Sequence, residues 1–139
     1  MSKRHQGRAL ALQVLYQYES SGATLEELLS VISKWPFNEQ KKSRVSKEFA
    51  TEIISGLFEH IPEIDDSIAN FSKNWRIERM SVVDKNILRI AVYEFLYMKD
   101  TPVKVVINEA VELAKSYGDD KSSAFVNGML DSIAKKHTK

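Results

Sequence analysis

The chain has 139 residues, of which 43% are hydrophobic and 28% charged, with a formal net charge of +1 and no cysteine. This composition is typical of a soluble globular protein, and no run approaches the roughly 18 apolar residues of a membrane span. Without cysteine there can be no disulfide, thiolate metal site or cysteine nucleophile. Because polar residues lead directly into an amphipathic pattern, unlike a secretory signal, we expect a cytoplasmic protein.

Basic residues are concentrated at the two chain ends. All 19 acidic residues lie between Glu19 and Asp131, whereas six of the 20 basic residues lie outside that span. Such ends are either solubilising tails or a local phosphate-binding patch, because a patch does not require a high overall pI. The six residues are Lys3, Arg4, Arg8, Lys135, Lys136 and Lys139.

In the first half of the chain, apolar residues at helical spacing predict three helices. The first runs from Arg4 to Glu19. The second follows Thr24, which forms a capping box with Glu27 three residues later. The third runs from about Ser43 to Glu59.

The second half predicts four more helices. The fourth carries an apolar seam from Ile61 to Trp75. The stretch from Ser81 to Met98 is apolar on nearly every side, which predicts the central, most buried helix. A sixth helix ends at the C-terminal cap Gly118, and Ser122 or Ser123 caps the seventh.

These elements predict an all-α protein, a single compact bundle of about seven helices that forms one domain over residues 1–139. Enzymatic chemistry is not indicated, because the three histidines lack metal-ligand spacing and the five glycines form no phosphate-cradling loop. We therefore expect no enzyme, no catalytic residue, no metal and no cofactor.

Arg89 interrupts the apolar run "ILRIAV", so its stem should be surrounded by apolar groups. A buried guanidinium requires a carboxylate, since an unpaired one is very costly. We expect Glu109 on the following helix to be that partner. A structural ion pair is favoured over a role in ligand binding.

The N-terminal arginines share a helix face with the core. At 100° per residue, Arg4 and Arg8 project at nearly the same azimuth as Ala11 and Leu15, beyond the point where the core ends. They could line the rim of a groove and contact phosphates. Alternatively, their stems could cover the edge of the core.

Three aromatic residues could stack on unpaired bases beside such cations. Tyr16 lies at the polar margin of the first helix, Tyr117 ends the sixth, and Phe125 opens the seventh. The alternative for each is an ordinary place in the core.

The stretch "FVNGML" combines a hairpin-turn signal, Asn-Gly, with the spacing of one helix face. We predict a helix here. Gly128 would allow a neighbouring helix to approach closely, which would compensate its propensity cost. Asn127 would hydrogen-bond an adjacent loop or helix end.

Four segments together resemble the NusB family of bacterial transcription antitermination factors: "RALALQVLYQYE", "SVVDKNILRIAVYEFLY", "TPVKVVINEAVELAKSYG" and "SSAFVNGMLDSIAKK". The resemblance implies a seven-helix RNA-binding protein without enzymatic activity. It implies binding to single-stranded boxA-type RNA in ribosomal RNA leaders, as a heterodimer with the ribosomal protein NusE. Other Nus factors and RNA polymerase would be reached indirectly, no membrane would be involved, and a homodimer is possible.

The resemblance also assigns sites by position. Lys121, in the turn "GDDKSS", stands where some relatives carry an acid, and a cation there favours RNA. The basic run is diluted to "RHQGR", which implies weak RNA affinity without NusE. The implied protein-partner residues are Glu78 and Asp84. The implied RNA-binding residues are Lys3, Arg4, Arg8, Tyr16, Tyr117, Lys121 and Phe125, gathered from both chain ends onto one surface.

Two other functions remain open at this point. One is a NusB-like domain associated with a ribosomal RNA methyltransferase, which a catalytic α/β region should follow. The other is a helical protein-interaction module without RNA binding.

Overall fold

A computed structural model describes residues 3–36, 40–71 and 79–137. The described residues form helices and no strand, which confirms the predicted all-α class. None of the helices in these ranges is long and apolar enough to cross a membrane. The helices are α1 (Lys3–Ser21), α2 (Leu25–Ser33), α3 (Gln40–Glu59), α4 (Ile61–Ala69), α5 (Val82–Tyr97), α6 (Val103–Tyr117) and α7 (Ser122–His137).

The chain divides into two compact units, Met1–Glu59 and His60–Lys139. The N-terminal unit contains α1, α2 and α3, and the C-terminal unit contains α4 to α7. The single domain expected for residues 1–139 remains a prediction. So does the single surface expected to unite the chain ends, because α1 and α7 belong to different units.

The capping box predicted at the start of α2 is confirmed. The Thr24 hydroxyl accepts the backbone N–H of Glu27 at 3.2 Å, and the Glu27 carboxylate accepts that of Thr24 at 3.1 Å. Two of the otherwise unpaired N–H groups at this helix end are thereby satisfied. The cap fixes where α2 begins, and Leu28 and Ile32 then pack into the core of the N-terminal unit.

Helix α5 is the central helix of its unit, as predicted. Ten of its 16 residues are buried, and α4, α6 and α7 all pack against it. The fourth helix, however, is shorter than its apolar seam predicted. It ends at Ala69, and the N–H of Phe71 donates a hydrogen bond, 3.1 Å long, to the carbonyl oxygen of Ile68. Trp75 lies outside the described residues.

Arg89 pairs with Asp65, a carboxylate that the sequence analysis did not consider, and the pairing expected with Glu109 stays a prediction. Asp65 on α4 accepts two hydrogen bonds from the Arg89 guanidinium, at 2.8 and 2.9 Å. A third hydrogen bond, 3.0 Å long, reaches the side-chain oxygen of buried Asn86. Because the Arg89 side chain is only 9% exposed, this bidentate pair joins α4 to α5 in a largely dry environment.

The "FVNG" stretch is helical, but the expected reason for its glycine is wrong. A Cβ atom added to Gly128 would meet no atom within 4 Å, apart from its own helix backbone and chain neighbours. Asn127 is exposed as well, so the pair lies on the solvent side of α7. Gly128 therefore does not permit a close helix contact within the described structure.

Candidate RNA-binding surfaces

The N-terminal arginines differ in their exposure. Arg4 is exposed, whereas Arg8 is only 2% exposed. The guanidinium carbon of each lies 5.1 Å from the centroid of the Phe49 ring on α3, within cation–π range. The expectation of two projecting rim cations is thereby corrected: Arg8 covers the core edge, and only Arg4 reaches solvent.

A close contact between α1 and α3 holds this basic segment in place. A Cβ atom on Gly7 would lie 2.9 Å from the carbonyl oxygen of Ser46 and 3.0 Å from the Phe49 ring. The buried Ser46 hydroxyl lies 3.0 Å from the carbonyl oxygen of Lys3 and 3.2 Å from the side-chain oxygen of Gln6. The glycine within the diluted basic run is thus required by packing. Sequence analysis missed Ser46 and Phe49 because each reads as an ordinary residue of α3.

Tyr16 and Lys3 lie on the exposed surface of α1. Tyr16 is 52% exposed, which excludes the alternative of a core position. Twelve residues separate Tyr16 from Arg4, or about 18 Å along the helix. At 100° per residue, Tyr16 lies about 120° around the helix axis from Arg4, so the exposed ring and the exposed cation occupy different faces of α1.

A cleft in the C-terminal unit brings three predicted site residues together. It has a volume of about 270 Å³ between the start of α5 and the turn that joins α6 to α7. Lys121 and Phe125, predicted to bind RNA, and Asp84, predicted to face a protein, all line it. The described residues that line it are Arg79, Met80, Ser81, Asp84, Asp119, Lys121 and Phe125.

Two cations and two carboxylates share this cleft. Arg79 and Lys121 are both exposed and can reach an anionic ligand. Sequence analysis missed Arg79 and Asp119. The position of Arg79, two residues before the N-cap Ser81, was the sequence signal that could have identified it. The proximity of Arg79 to Lys121, however, depends on tertiary packing and could not be read from the sequence. Tyr117 is 41% exposed but does not line the cleft.

Side-chain hydrogen bonds hold the α6–α7 turn in a defined conformation. The Asp119 carboxylate accepts the N–H of Lys121 at 2.8 Å and lies 3.2 Å from the Ser122 hydroxyl, which accepts the N–H of Asp119 at 3.0 Å. A Cβ atom on Gly118 would lie 2.4 Å from the Ser122 hydroxyl oxygen, so this position requires glycine. The predicted serine cap is therefore corrected: α7 begins at Ser122 itself, and the Ser122 hydroxyl accepts the N–H of Asp119 in the preceding turn.

Asp84 combines a favourable backbone position with an unused acceptor. Its N–H donates to the N-cap Ser81 hydroxyl at 3.0 Å, and its carboxylate lies in the first turn of α5, where the helix dipole favours negative charge. The carboxylate atom Oδ1 is buried and accepts no hydrogen bond from the part of the chain that the structure describes. An N–H donor of a bound molecule could satisfy it. Glu78, the other predicted protein contact, lies outside the described residues.

The described residues contain no group of three or more His, Asp or Glu side chains that could hold a metal ion. The features that they do present are exposed cations, exposed or half-buried rings and one unused acceptor. Such groups are suited to contacts with polar and anionic partners.

The fold places the chain among the all-α proteins. The NusB family model matches residues 5–135, and the chain therefore belongs to the NusB family. A relative from Myxococcus xanthus, named as transcription antitermination protein NusB, is 47% identical over 136 residues, which cover 96% of each chain. Family membership confirms the resemblance seen in the sequence and supports a transcription factor without enzymatic activity.

Solved structures agree with this assignment. The structure of Thermotoga maritima NusB matches with a TM-score of 0.85 and 40% identity, covering 98% of this chain and 93% of that one. A chain from the crystal structure of antitermination factors NusB and NusE in complex with double-stranded RNA matches with a TM-score of 0.81 and 32% identity. That match covers 96% of this chain and 97% of the other.

Proposed function

We propose that this chain is a non-catalytic adaptor that binds boxA-type leader RNA together with the ribosomal protein NusE. In the cytoplasm, the complex joins other Nus factors on RNA polymerase and helps it read through terminators in ribosomal RNA operons. The observation that carries the proposal is the similarity, over 96% of this chain, to a chain of the NusB–NusE–RNA structure.

The exposed groups on α1 support the RNA-binding part of the proposal. Lys3 and Arg4 offer phosphate contacts, and Tyr16 offers an open ring on which an unpaired base can stack. Arg8 contributes indirectly, because its contact with Phe49 fixes the segment that carries Arg4.

The cleft of the C-terminal unit supports contacts of a second kind. Lys121 and Arg79 supply positive charge beside the Phe125 ring, a combination suited to a nucleotide. Asp84 supplies an acceptor for an N–H donor of NusE, and Glu78 remains a predicted second contact. On this proposal RNA and NusE meet at the cleft.

A titration of labelled boxA-type RNA, with and without NusE, tests the proposal. We expect Phe125→Leu to weaken binding by about 5- to 150-fold, because stacking contributes roughly 1–3 kcal/mol per base. Leucine keeps the apolar volume of the half-buried ring, so the helix should stay folded. Lys121→Ala should lower the slope of log affinity against log salt by about 0.7.

The matched control is Lys99→Ala, which removes one exposed cation outside the cleft and should bind RNA like the parent. Arg8→Ala would be a poor probe, since it removes buried packing together with charge. If Lys121→Ala and Phe125→Leu both bind RNA with NusE as tightly as the parent does, the cleft is not the RNA site.

A further inference from the structure

A second groove lies wholly within the N-terminal unit, between the end of α2 and one face of α3. It is a shallow groove, open to solvent, with a volume of about 460 Å³, and the described residues that line it are Ile32, Ser33, Arg44, Lys47, Glu48 and Thr51. The four α3 residues are spaced three, four and seven apart and therefore share one helix face. An open groove of this kind suits an extended ligand that lies across it more than a small molecule that must be enclosed.

This groove is separate from the basic segment of α1. Ser46 and Phe49 face α1, whereas Arg44 and Thr51 project about 160° and 140° away from Ser46 around the α3 axis. Substitutions in the groove should therefore leave the packing of the α1 arginines undisturbed.

Four of the six described residues that line the groove carry a cation or a hydroxyl group. Arg44 is exposed, and Lys34, the exposed C-cap of α2, adjoins Ser33. The Lys47 ammonium donates to the carbonyl oxygen of Ser33 at 2.9 Å, which holds positive charge at the groove. Glu48 is the one acidic residue among the described residues that line it.

The lining favours a nucleic-acid backbone over a protein partner. Protein interfaces are anchored by large aromatic or apolar side chains in addition to arginine. The large hydrophobic residues that are exposed in the described ranges are Tyr16, Tyr97, Val105 and Tyr117, and none of them lines the groove. The lining instead offers an arginine fork, one lysine and two hydroxyl groups, with Lys34 next to Ser33 in the chain, and such groups are typical of contacts to phosphate and ribose.

We propose that the α2–α3 groove binds the phosphodiester backbone of single-stranded RNA without reading its sequence. The inference rests on the proposed function and extends it: RNA that continues past the specific element would gain affinity from a second contact site. Arg44 would bind phosphate through its fork, Lys34 and Lys47 would add charge, and Ser33 and Thr51 would bond ribose or phosphate oxygens.

The test compares two RNAs, a boxA-type RNA and the same RNA with an oligo(U) extension, each titrated with the protein and NusE over a range of salt concentrations. In Arg44→Gln/Lys34→Gln, we expect the extended RNA to lose the affinity that the extension adds. The log–log salt slope should fall by about 1.4 for two lost phosphate contacts. When the salt concentration rises from 50 to 200 mM, the RNA affinity of the parent would then fall about sevenfold more than the RNA affinity of the variant.

The matched control is Lys99→Gln/Lys104→Gln, which removes two exposed cations from the C-terminal unit and should retain the slope of the parent. Arg44→Glu is a second variant and should lower affinity for the extended RNA further. Melting curves establish that each variant is folded.

The outcomes separate the two proposals. An unchanged salt slope in both groove variants would overturn the inference, as would a loss of NusE affinity with RNA binding intact, since the groove would then take a protein. Failure of the parent to bind the unextended RNA would instead refute the proposed function. In that case oligo(U) alone, titrated against parent and variants, still tests the groove.

Discussion

Two glycines in helices of this protein should respond with opposite sign to the same substitution. Gly7 lies in α1 and Gly128 in α7. In a helix interior, Gly→Ala contributes roughly 1 kcal/mol of stability by propensity alone. The surroundings decide whether that gain is realised.

At Gly128 nothing opposes the gain, because an added Cβ would have no neighbour within 4 Å beyond its own helix backbone and adjacent residues. At Gly7 the added Cβ would stand 2.9 Å from the carbonyl oxygen of Ser46 and 3.0 Å from the Phe49 ring. A backbone oxygen cannot rotate away, so α1 and α3 must separate, and such overpacking costs about 1–3 kcal/mol. We expect Gly128→Ala to stabilise by about 1 kcal/mol and Gly7→Ala to destabilise by up to about 2 kcal/mol.

Thermal unfolding followed by circular dichroism measures both effects. An unfolding entropy near 2.1 cal/mol/K per residue means that 1 kcal/mol shifts the Tm of a 139-residue chain by about 3 °C. Gly128→Ala should therefore melt about 3 °C higher than the parent, and Gly7→Ala should melt lower. Gly7→Ser serves as a second crowded variant and should melt lower still. Equal shifts of the same sign at Gly7 and Gly128 would refute the packing argument.

Three further predictions concern single interactions. Asp65→Ala should lower the free energy of unfolding by about 3 kcal/mol in urea titrations, because it strips the bidentate carboxylate from the buried Arg89 guanidinium; an effect below 1 kcal/mol would contradict this. The hydrogen bond to Glu63 raises the pKa of Tyr97 to about 12, so this contribution to stability is complete below pH 10 and is lost as the pH rises towards 12. Subtracting the ultraviolet titration curve of Tyr97→Phe from that of the parent isolates the ionisation of Tyr97, and its midpoint should lie near pH 12. The Glu63→Gln substitution should move this midpoint towards pH 10. Finally, Thr24→Ala should remove the α2 cap and about 1 kcal/mol of stability, seen as a Tm about 3 °C lower, whereas an unchanged Tm would mean that the cap is dispensable.

Sequence periodicity predicted the helices well because each helix buries one face, and burial repeats with the period of the backbone. The same rule explains the error at the fourth helix. The spacing of apolar residues indicates which side chains pack in the core, but it does not indicate which backbone groups form helical hydrogen bonds. Phe71 continues the seam and contacts Lys136, with the ammonium 5.7 Å from the ring centroid, although α4 has already ended at Ala69.

Features that depend on which helices are neighbours could not be predicted. Asp65 reaches Arg89 because α4 packs on α5, a neighbour relation that the spacing of apolar residues does not reveal. A glycine that admits a neighbouring helix looks the same in sequence as one that faces solvent, which is why Gly128 was chosen and Gly7 overlooked. Solvent exposure was easier to predict. Tyr16 lies at the polar margin of α1 in the sequence pattern, and its ring is exposed in the structure.

The distribution of charge argues that RNA binding by this chain depends on a few placed contacts. A net charge of +1 supplies no general attraction for a polyanion, and Arg8 is already committed to Phe49. In the cleft, Asp84 and Asp119 stand beside Lys121 and offset part of its field. A partner that placed a cationic donor against Asp84 would offset this negative charge and strengthen the attraction of the cleft for phosphate. On the proposed function, NusE would therefore raise RNA affinity by changing the charge balance of the cleft as well as by adding contacts.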